Sequence, residues 1–257
     1  MWAFAMPLYS SDALILRTYK LGEADRIVVF LTRDRGKKRG VAKGARRLRS
    51  KFVGGLEPLT LTRVAYFEKE RRELVSVNYS EPSCSPLSAV DPAALGYAEY
   101  FAELLDEWAQ EADPDERLYR LGAAMVEAFV AGVAAEPLAR YFEYWLLRLQ
   151  GVYPAHLACH LCRQRLDDGR RAAAFLEVGD REFTCAECSP RGNGLRLSPD
   201  ALVALSDLRG LVPLKVGDLR LTPGAGRELE AVHRALIASH LEKELKSVRV
   251  LKSLNRP

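Results

Sequence analysis

Four cysteines carry the clearest chemistry in the chain. They fall in two C-x-x-C pairs, Cys159 and Cys162 in "CHLC" and Cys185 and Cys188 in "CAEC", with 22 residues between the pairs. A two-residue gap lets both thiolates of a pair face one point, because the chain turns tightly between them. Two such knuckles complete a tetrahedral Zn²⁺ site with sulfur ligands at about 2.3 Å. The intervening "AAAFLEVGDREFTC" alternates on either side of Gly179-Asp180, which predicts a hairpin that delivers the second knuckle. A metal closed in by four thiolates has no open position for catalysis. Its work is structural, supplying folding energy to a lobe too small for a core of its own. His156 and His160 lie near enough in sequence to substitute as ligands, but the cysteines already satisfy the metal. Competing uses fit less well. Disulfides need an export route, and none is in view. A redox C-x-x-C needs a single pair, and a nucleic-acid deaminase needs a His-x-Glu upstream of a Pro-Cys-x-x-Cys. Cys84 is left over, and reads as a free thiol.

No catalytic constellation accompanies the cysteines. "GVAKGARR" has glycines and a lysine but lacks the Gly-Lys-Ser/Thr ending of a phosphate-binding loop, and neither G-x-S-x-G nor H-E-x-x-H occurs. The histidines at 156, 160, 233 and 240 form no relay pattern. Glu23 and Asp25 in "GEADR" read as turn formers between two strands, with Arg26 ion-paired or facing phosphate. The catalytic assignment is therefore none, and no small-molecule substrate is implied.

Charge supplies the second signal. The net charge is only +4, yet Arg33 to Lys51 holds ten basic residues against one acid, Asp34. That segment is +9 and the remainder of the chain −5, so the molecule is strongly polarised. A face of this kind suits a polyanion. The basic residues singled out are Arg26, Arg35, Lys37, Lys38, Arg39, Lys43, Arg46, Arg47, Arg49 and Lys51. Gly40 and Gly44 would let backbone amides approach phosphates and let the loop bend. No apolar run approaches the roughly 18–20 residues of a membrane span. The N-terminal "MWAFAMP", in which Met6 is a second candidate start, lacks the basic leader of a secretory signal. The chain reads as intracellular.

These residues need elements to hold them. Residues 8–82 read as β, with runs at 12–19, 26–32, 36–44, 59–69 and 72–82, the last two joined at Glu70-Arg71. Short strands with tight turns at this size match a closed five-stranded barrel of the OB type. From residue 83 to 257 the pattern turns helical. Asp91-Pro92 and Asp113-Pro114 each offer a capping carboxylate followed by proline at the first helical position. Apolar stripes follow at helical spacing: Leu95, Ala98, Phe101, Leu105 and Trp108; then Leu118, Leu121, Met125 and Phe129; then, after Pro137, Leu138, Phe142, Trp145 and Leu149. A cysteine-bearing insertion occupies 155–192, and helices resume at Ser198-Pro199. One long helix is expected from about Ala225 to Leu254, with Lys243, Lys246, Arg249 and Lys252 on one face. The fold class is thus α+β: an OB-fold barrel, then a helical domain with a zinc-ribbon-like insertion.

The stretch "LGEADRIVVFLTRDRGKKRGVAKGARRLRSKFVGGLEPLT" resembles the N-terminal signature of the RecO family of bacterial DNA repair and recombination mediators. The matching elements are Gly-Glu-x-Asp-Arg-Ile-Val, Lys-Gly-Ala-Arg-Arg and Leu-Glu-Pro-Leu. Further on, "RYFEYWLLRLQGVYP" followed by a C-x-x-C is also similar to the family. The resemblance implies a protein that binds single- and double-stranded DNA, anneals complementary strands and is not an enzyme. It further implies work with RecR to load RecA onto DNA coated by single-strand-binding protein, in the cytoplasm at the nucleoid. Lys243, Lys246 and Arg249 then become candidates for the acidic tail of the single-strand-binding protein, unless they form ordinary helical pairs such as Glu242 with Lys246. Tyr19, Phe52, Tyr66, Phe67 and Tyr79 are candidates to stack on bases or to fill the barrel. A zinc-ribbon transcription or RNA-binding factor would use the same charge and cysteines.

Overall fold

The computed structural model describes residues 7–68, 73–86, 92–167 and 173–254, without the side chains of residues 92, 93 and 252–254. The arm carrying Met1 and Met6, the Glu70-Arg71 turn, the Asp91 cap and the Lys252 side chain lie outside the described residues. The chain forms two compact units. One runs to Gly132 and resumes at Lys246; the other spans Val133–Leu245. Among the described residues, no helix is long and apolar enough to cross a membrane.

The first unit is built on five strands: β1 (Leu8–Leu21), β2 (Asp25–Thr32), β3 (Gly36–Ala42), β4 (Leu61–Phe67) and β5 (Val75–Cys84). They close as β1-β2-β3-β5-β4, antiparallel except at the parallel seam of β3 and β5. Alternation puts Ala13, Ile15, Val28, Phe30, Val64 and Tyr66 inside, and the loop after β3 adds Phe52 and Leu56. In β1 the outward residues are apolar too, because Leu14 packs against the helices near Gly122 and Leu105. That two-sided burial is why "ALIL" is a continuous run rather than an alternating one.

The parallel seam explains a glycine that sequence reasoning assigned to phosphate approach. A Cβ on Gly40 would lie 2.7 Å from Val77 Cγ2 and 2.8 Å from Val75 Cγ2. Gly40 is therefore needed for barrel closure. Gly36, at φ +68°, sits against the backbone of Asp113, and Lys37 N donates to Gln110 O at 2.9 Å. Strand β3 is thereby tied to the connection between α1 (Pro92–Trp108) and α2 (Glu116–Val130).

One helix start and one position of an apolar stripe differ from expectation. The cap of α2 is Asp115, whose Oδ1 accepts from Leu118 N at 2.9 Å, so Asp113-Pro114 lies before the helix. In α1 the stripe holds from Ala98 to Trp108, but Leu95 is 39% exposed. In the second unit the expected cap at Ser198 stands, its Oγ accepting from Ala201 N at 3.3 Å. That unit contains α3 (Ala135–Leu149), the hairpin β6 (Ala174–Glu177) and β7 (Glu182–Cys185), β8 (Leu195–Leu197) alongside β6, α4 (Pro199–Leu208) and α5 (Pro223–Leu241).

The single long C-terminal helix is not formed. Helix α5 ends at Leu241 with Glu242 in the left-handed region at φ 53°, and α6 (Lys246–Leu254) begins anew within the first unit. The new start is capped from far away in sequence. Glu103 of α1 accepts from Lys246 N at 3.1 Å, from Ser247 N at 2.7 Å and from the Ser247 hydroxyl, and lies 3.6 Å from Arg17 Nη2. A carboxylate at a helix N-terminus satisfies orphan amides and complements the dipole.

Burial opposes the charge on Glu103, but the Ser247 and Lys246 donors and Arg17 outweigh it and hold its pKa below the ordinary 4.5. A depressed folded-state pKa means the stabilisation is present above the unfolded value and is lost as pH falls through the folded one. Glu103→Gln should destabilise the protein at neutral pH by roughly 1–3 kcal/mol. In urea unfolding the gap from the parent should shrink as pH drops below the carboxylate range. An equal gap at all pH values would show that the Glu103 charge plays no part.

Candidate nucleic-acid interface and metal centre

The basic loop is fastened before it is charged. Asp25 Oδ1 accepts from Gly44 N at 2.8 Å, Arg46 N donates to Ala24 O at 2.9 Å and Arg46 Nη1 to Gly22 O at 2.9 Å. The turn between β1 and β2 thus clasps the start of the loop after β3. Gly44 takes φ +71°, which suits glycine at this bend. At its far end the loop is pinned by Phe52, 4% exposed, and Leu56, 3% exposed, inside the barrel. The turn-forming role read for Asp25 is therefore also a positioning role.

Within this frame the basic residues divide. Lys37 Nζ donates to Asp106 O at 2.6 Å and lies 3.3 Å from Asp106 Oδ1. Lys38 pairs with Glu68 at 2.7 Å, and Arg26 with Glu57 at 3.2 Å. Arg35 lies 3.9 Å over the Tyr9 ring and 3.8 Å from Asp34. Arg33, outside the original selection, pairs with Glu116 at 2.7 Å. Arg46 serves the clasp, and Lys51 Nζ donates to Asn78 Oδ1 at 3.5 Å. Arg39, Lys43, Arg47 and Arg49 are exposed, and their side chains have no hydrogen-bond or ion-pair partner among the described residues. Pairing of this kind was invisible in the sequence because most of its carboxylates come from other elements.

The outer sheet surface beside these cations is partly apolar. Strand register aligns Tyr19, Ile27, Val41 and Ser76 across β1, β2, β3 and β5. Tyr19 is 47% exposed, and Ile27 and Val41 are half-buried. Tyr79 of β5 is also exposed. Phe52 and Tyr66 belong to the barrel core, so neither is placed to stack on a base. A face with an exposed tyrosine and adjacent unneutralised cations can hold a strand by stacking and by phosphate contact.

The hairpin brings the cysteines together. Ala174 pairs with Cys185 at its end, and His160 N donates to Phe183 O at 2.8 Å, which ties the first knuckle to β7. Arg163 N bonds Cys159 O at 2.8 Å and Cys188 N bonds Cys185 O at 3.1 Å, closing both turns. The four Sγ atoms lie within 4.8 Å of one another, with Cys162 and Cys185 at 3.9 Å. Sulfurs on a tetrahedron of 2.3 Å radius are about 3.8 Å apart. The residues fit a metal ion, and all five cysteines including Cys84 are free thiols. Burial opposes ionisation of Cys159, yet the amides of Cys162, Cys185 and Leu161 bring its pKa down to about 6. His160 faces Glu182, 2.8 Å away, rather than the sulfurs.

Lys243, Lys246 and Arg249 are exposed, but the break at Glu242 removes the continuous helical stripe on which they were grouped. Lys243 belongs to the second unit, and Lys246 and Arg249 to the first. The Glu242–Lys246 helical pair has no helix to sit on. Sequence reasoning also missed a buried cluster between α3 and α5. Glu143 lies 3.0 Å from His233 Nδ1 and 3.1 Å from Arg140 Nη2, with all three residues at most 3% exposed. Desolvation foremost lowers the His233 pKa against the pull of Glu143. The i,i+3 pair Arg140/Glu143 inside "RYFEYW" was its only signal in the sequence.

Comparison with known proteins covers both units. The family model described as Recombination protein O N terminal matches residues 6–85, and that described as Recombination protein O C terminal matches residues 89–249. A DNA repair protein RecO of Koribacter versatilis (strain Ellin345) is 35% identical over 257 residues, covering 96% of this chain and 100% of the relative. Another, of Anaeromyxobacter sp. (strain K), is 32% identical over 241 residues, covering 93% of each. A third, of Symbiobacterium thermophilum (strain DSM 24528 / JCM 14929 / IAM 14863 / T), is 30% identical and covers 97% of this chain and 98% of its own.

The sulfur geometry predicts one divalent metal ion per chain by elemental analysis. Cys159→Ser and Cys185→Ser should each abolish it, and chelation should lower the melting temperature of the parent. Cys84→Ser should leave the metal content unchanged, and loss of metal there would contradict the assignment.

Proposed function

The chain belongs to the RecO family of DNA repair proteins, and from that premise we propose that it is a recombination mediator rather than an enzyme. It binds single- and double-stranded DNA through the barrel and its basic loop, and anneals complementary strands. With RecR it helps load RecA onto DNA coated by single-strand-binding protein, working in the cytoplasm at the nucleoid. Residues 8–82 are the DNA-binding part and 155–192 the metal lobe. The metal is Zn²⁺, since four thiolates within 4.8 Å of one another suit tetrahedral coordination of that ion and leave no open position.

The observation that carries this reading is the set of four exposed cations without side-chain partners among the described residues, Arg39 on β3 and Lys43, Arg47 and Arg49 on the loop clasped to the barrel. Annealing joins two polyanions, and a cationic face lowers their repulsion by displacing condensed counterions. Tyr19 and the apolar strip beside it offer a sequence-tolerant stacking surface. Arg26, Arg35, Lys37, Lys38, Arg46 and Lys51 contribute to the same positive potential, although their side chains already have protein partners. Lys243, Lys246 and Arg249 remain the proposed contacts for the acidic tail of the single-strand-binding protein.

Annealing of mixed-sequence complementary oligonucleotides, with and without single-strand-binding protein, tests the proposal. The parent should accelerate annealing of any pair, and Arg39→Glu with Arg47→Glu should slow it by at least about tenfold, the effect of losing and repelling phosphate contacts. Charge reversal at Lys243 and Lys246 should weaken binding of an acidic peptide and spare oligonucleotide binding. Strong preference for one sequence or hairpin would point instead to a transcription or RNA-binding factor.

A further inference from the structure

The tip of the basic loop carries a side chain that its charge does not explain. Leu48 is 104% exposed, in a loop that also exposes Val53 at 75% and buries Phe52 and Leu56 in the barrel. A single exposed leucine is ordinary on a protein surface. This one stands directly between Arg47 and Arg49, both exposed and without side-chain partners among the described residues. It is also presented on a structured tip. Arg47 N donates to Gly44 O at 3.1 Å, Ser50 N to Arg47 O at 3.0 Å and Phe52 N to Ser50 Oγ at 3.2 Å. Successive turns held by the clasp at Gly44 and the anchor at Phe52 keep the isobutyl group away from the barrel, where it could otherwise bury itself.

We propose that Leu48 is an apolar wedge that inserts between adjacent bases of a bound DNA strand while Arg47 and Arg49 hold the flanking phosphates. The proposal rests on the DNA-binding reading above. Wedge side chains separate neighbouring bases and recover the lost stacking through apolar contact and phosphate pairing. Leucine makes no hydrogen bond, so insertion carries no sequence preference, as annealing of arbitrary strands requires. Preorganisation by the loop's own turns limits the entropy lost on binding. A strand whose bases are opened at one step presents their edges to an incoming complement.

The experiment uses the full chain with single-stranded and duplex oligonucleotides containing 2-aminopurine, whose fluorescence rises when it is unstacked. The parent should raise the signal on binding. Leu48→Ala should abolish the rise and weaken binding roughly three- to tenfold, as expected for losing partial burial of one leucine, without changing the salt dependence. Leu48→Met should retain the rise. Arg47→Ala with Arg49→Ala should instead lower the salt dependence. An undiminished rise in Leu48→Ala overturns the wedge while leaving the DNA-binding reading intact, and would leave Leu48 for contact with a partner protein. Absence of oligonucleotide binding by the parent overturns both.

Discussion

Cations packed ten to a short segment repel one another, and the first unit is organised around that constraint. On one side carboxylates from other elements take up charge: Asp106 holds Lys37, Glu68 holds Lys38, Glu57 holds Arg26 and Glu116 holds Arg33. On the other, the loop after β3 carries Arg39's neighbours Lys43, Arg47 and Arg49 into solvent with no described partner. Asp25 holds Gly44 N and Arg46 reaches Gly22 O, which fastens the start of that loop to the turn between β1 and β2. Surface ion pairs contribute little to stability singly. Here their consequence is selective, since they neutralise Arg26, Arg33, Lys37 and Lys38 and leave Arg39, Lys43, Arg47 and Arg49 uncompensated among the described residues.

The C-terminal segment shows a second use of long-range pairing. Glu242 turns left-handed and ends α5, and Glu103 captures the amides of Lys246 and Ser247 to start α6 on α1. The chain therefore begins and ends its described course in the same compact unit, with Val133–Leu245 forming the other. Within that second unit the cysteine knuckles are braced by the β6–β7 hairpin, while α3 and α5 are joined by a buried Arg140–Glu143–His233 cluster. Breaking one partner of such a cluster leaves a charge without compensation in the interior, which is expensive.

Local signals carried well from sequence to structure. Apolar and β-branched runs between turns located the five barrel strands, the C-x-x-C spacing located four cysteines able to hold a metal ion, and Ser198-Pro199 marked a true helix start. What failed depended on contacts that no local pattern encodes. Nothing in "HLEKELK" resembles a helix terminator, yet Glu242 turns left-handed, and the new start at Lys246 is capped by Glu103, a carboxylate remote in sequence. Asp115 displaced Asp113 as a cap because both lie beside Pro114 and only the fold selects between them. Gly40 was legible as a place for backbone amides to approach phosphate, but not as the residue that lets β3 approach β5. The basic run was legible as a positive face, but its division into paired and unpaired cations required the tertiary structure.

We propose that Arg39, Lys43, Arg47 and Arg49 meet DNA phosphates. This contact is tested most directly by the salt dependence of binding to a mixed-sequence single-stranded oligonucleotide, measured for the parent and for the fourfold alanine variant. Each phosphate contact contributes about 0.7 to the slope of log K against log salt on single strands, so the variant's slope should be shallower by about 3. Slopes that coincide would contradict the account, because these four residues would then release no counterions.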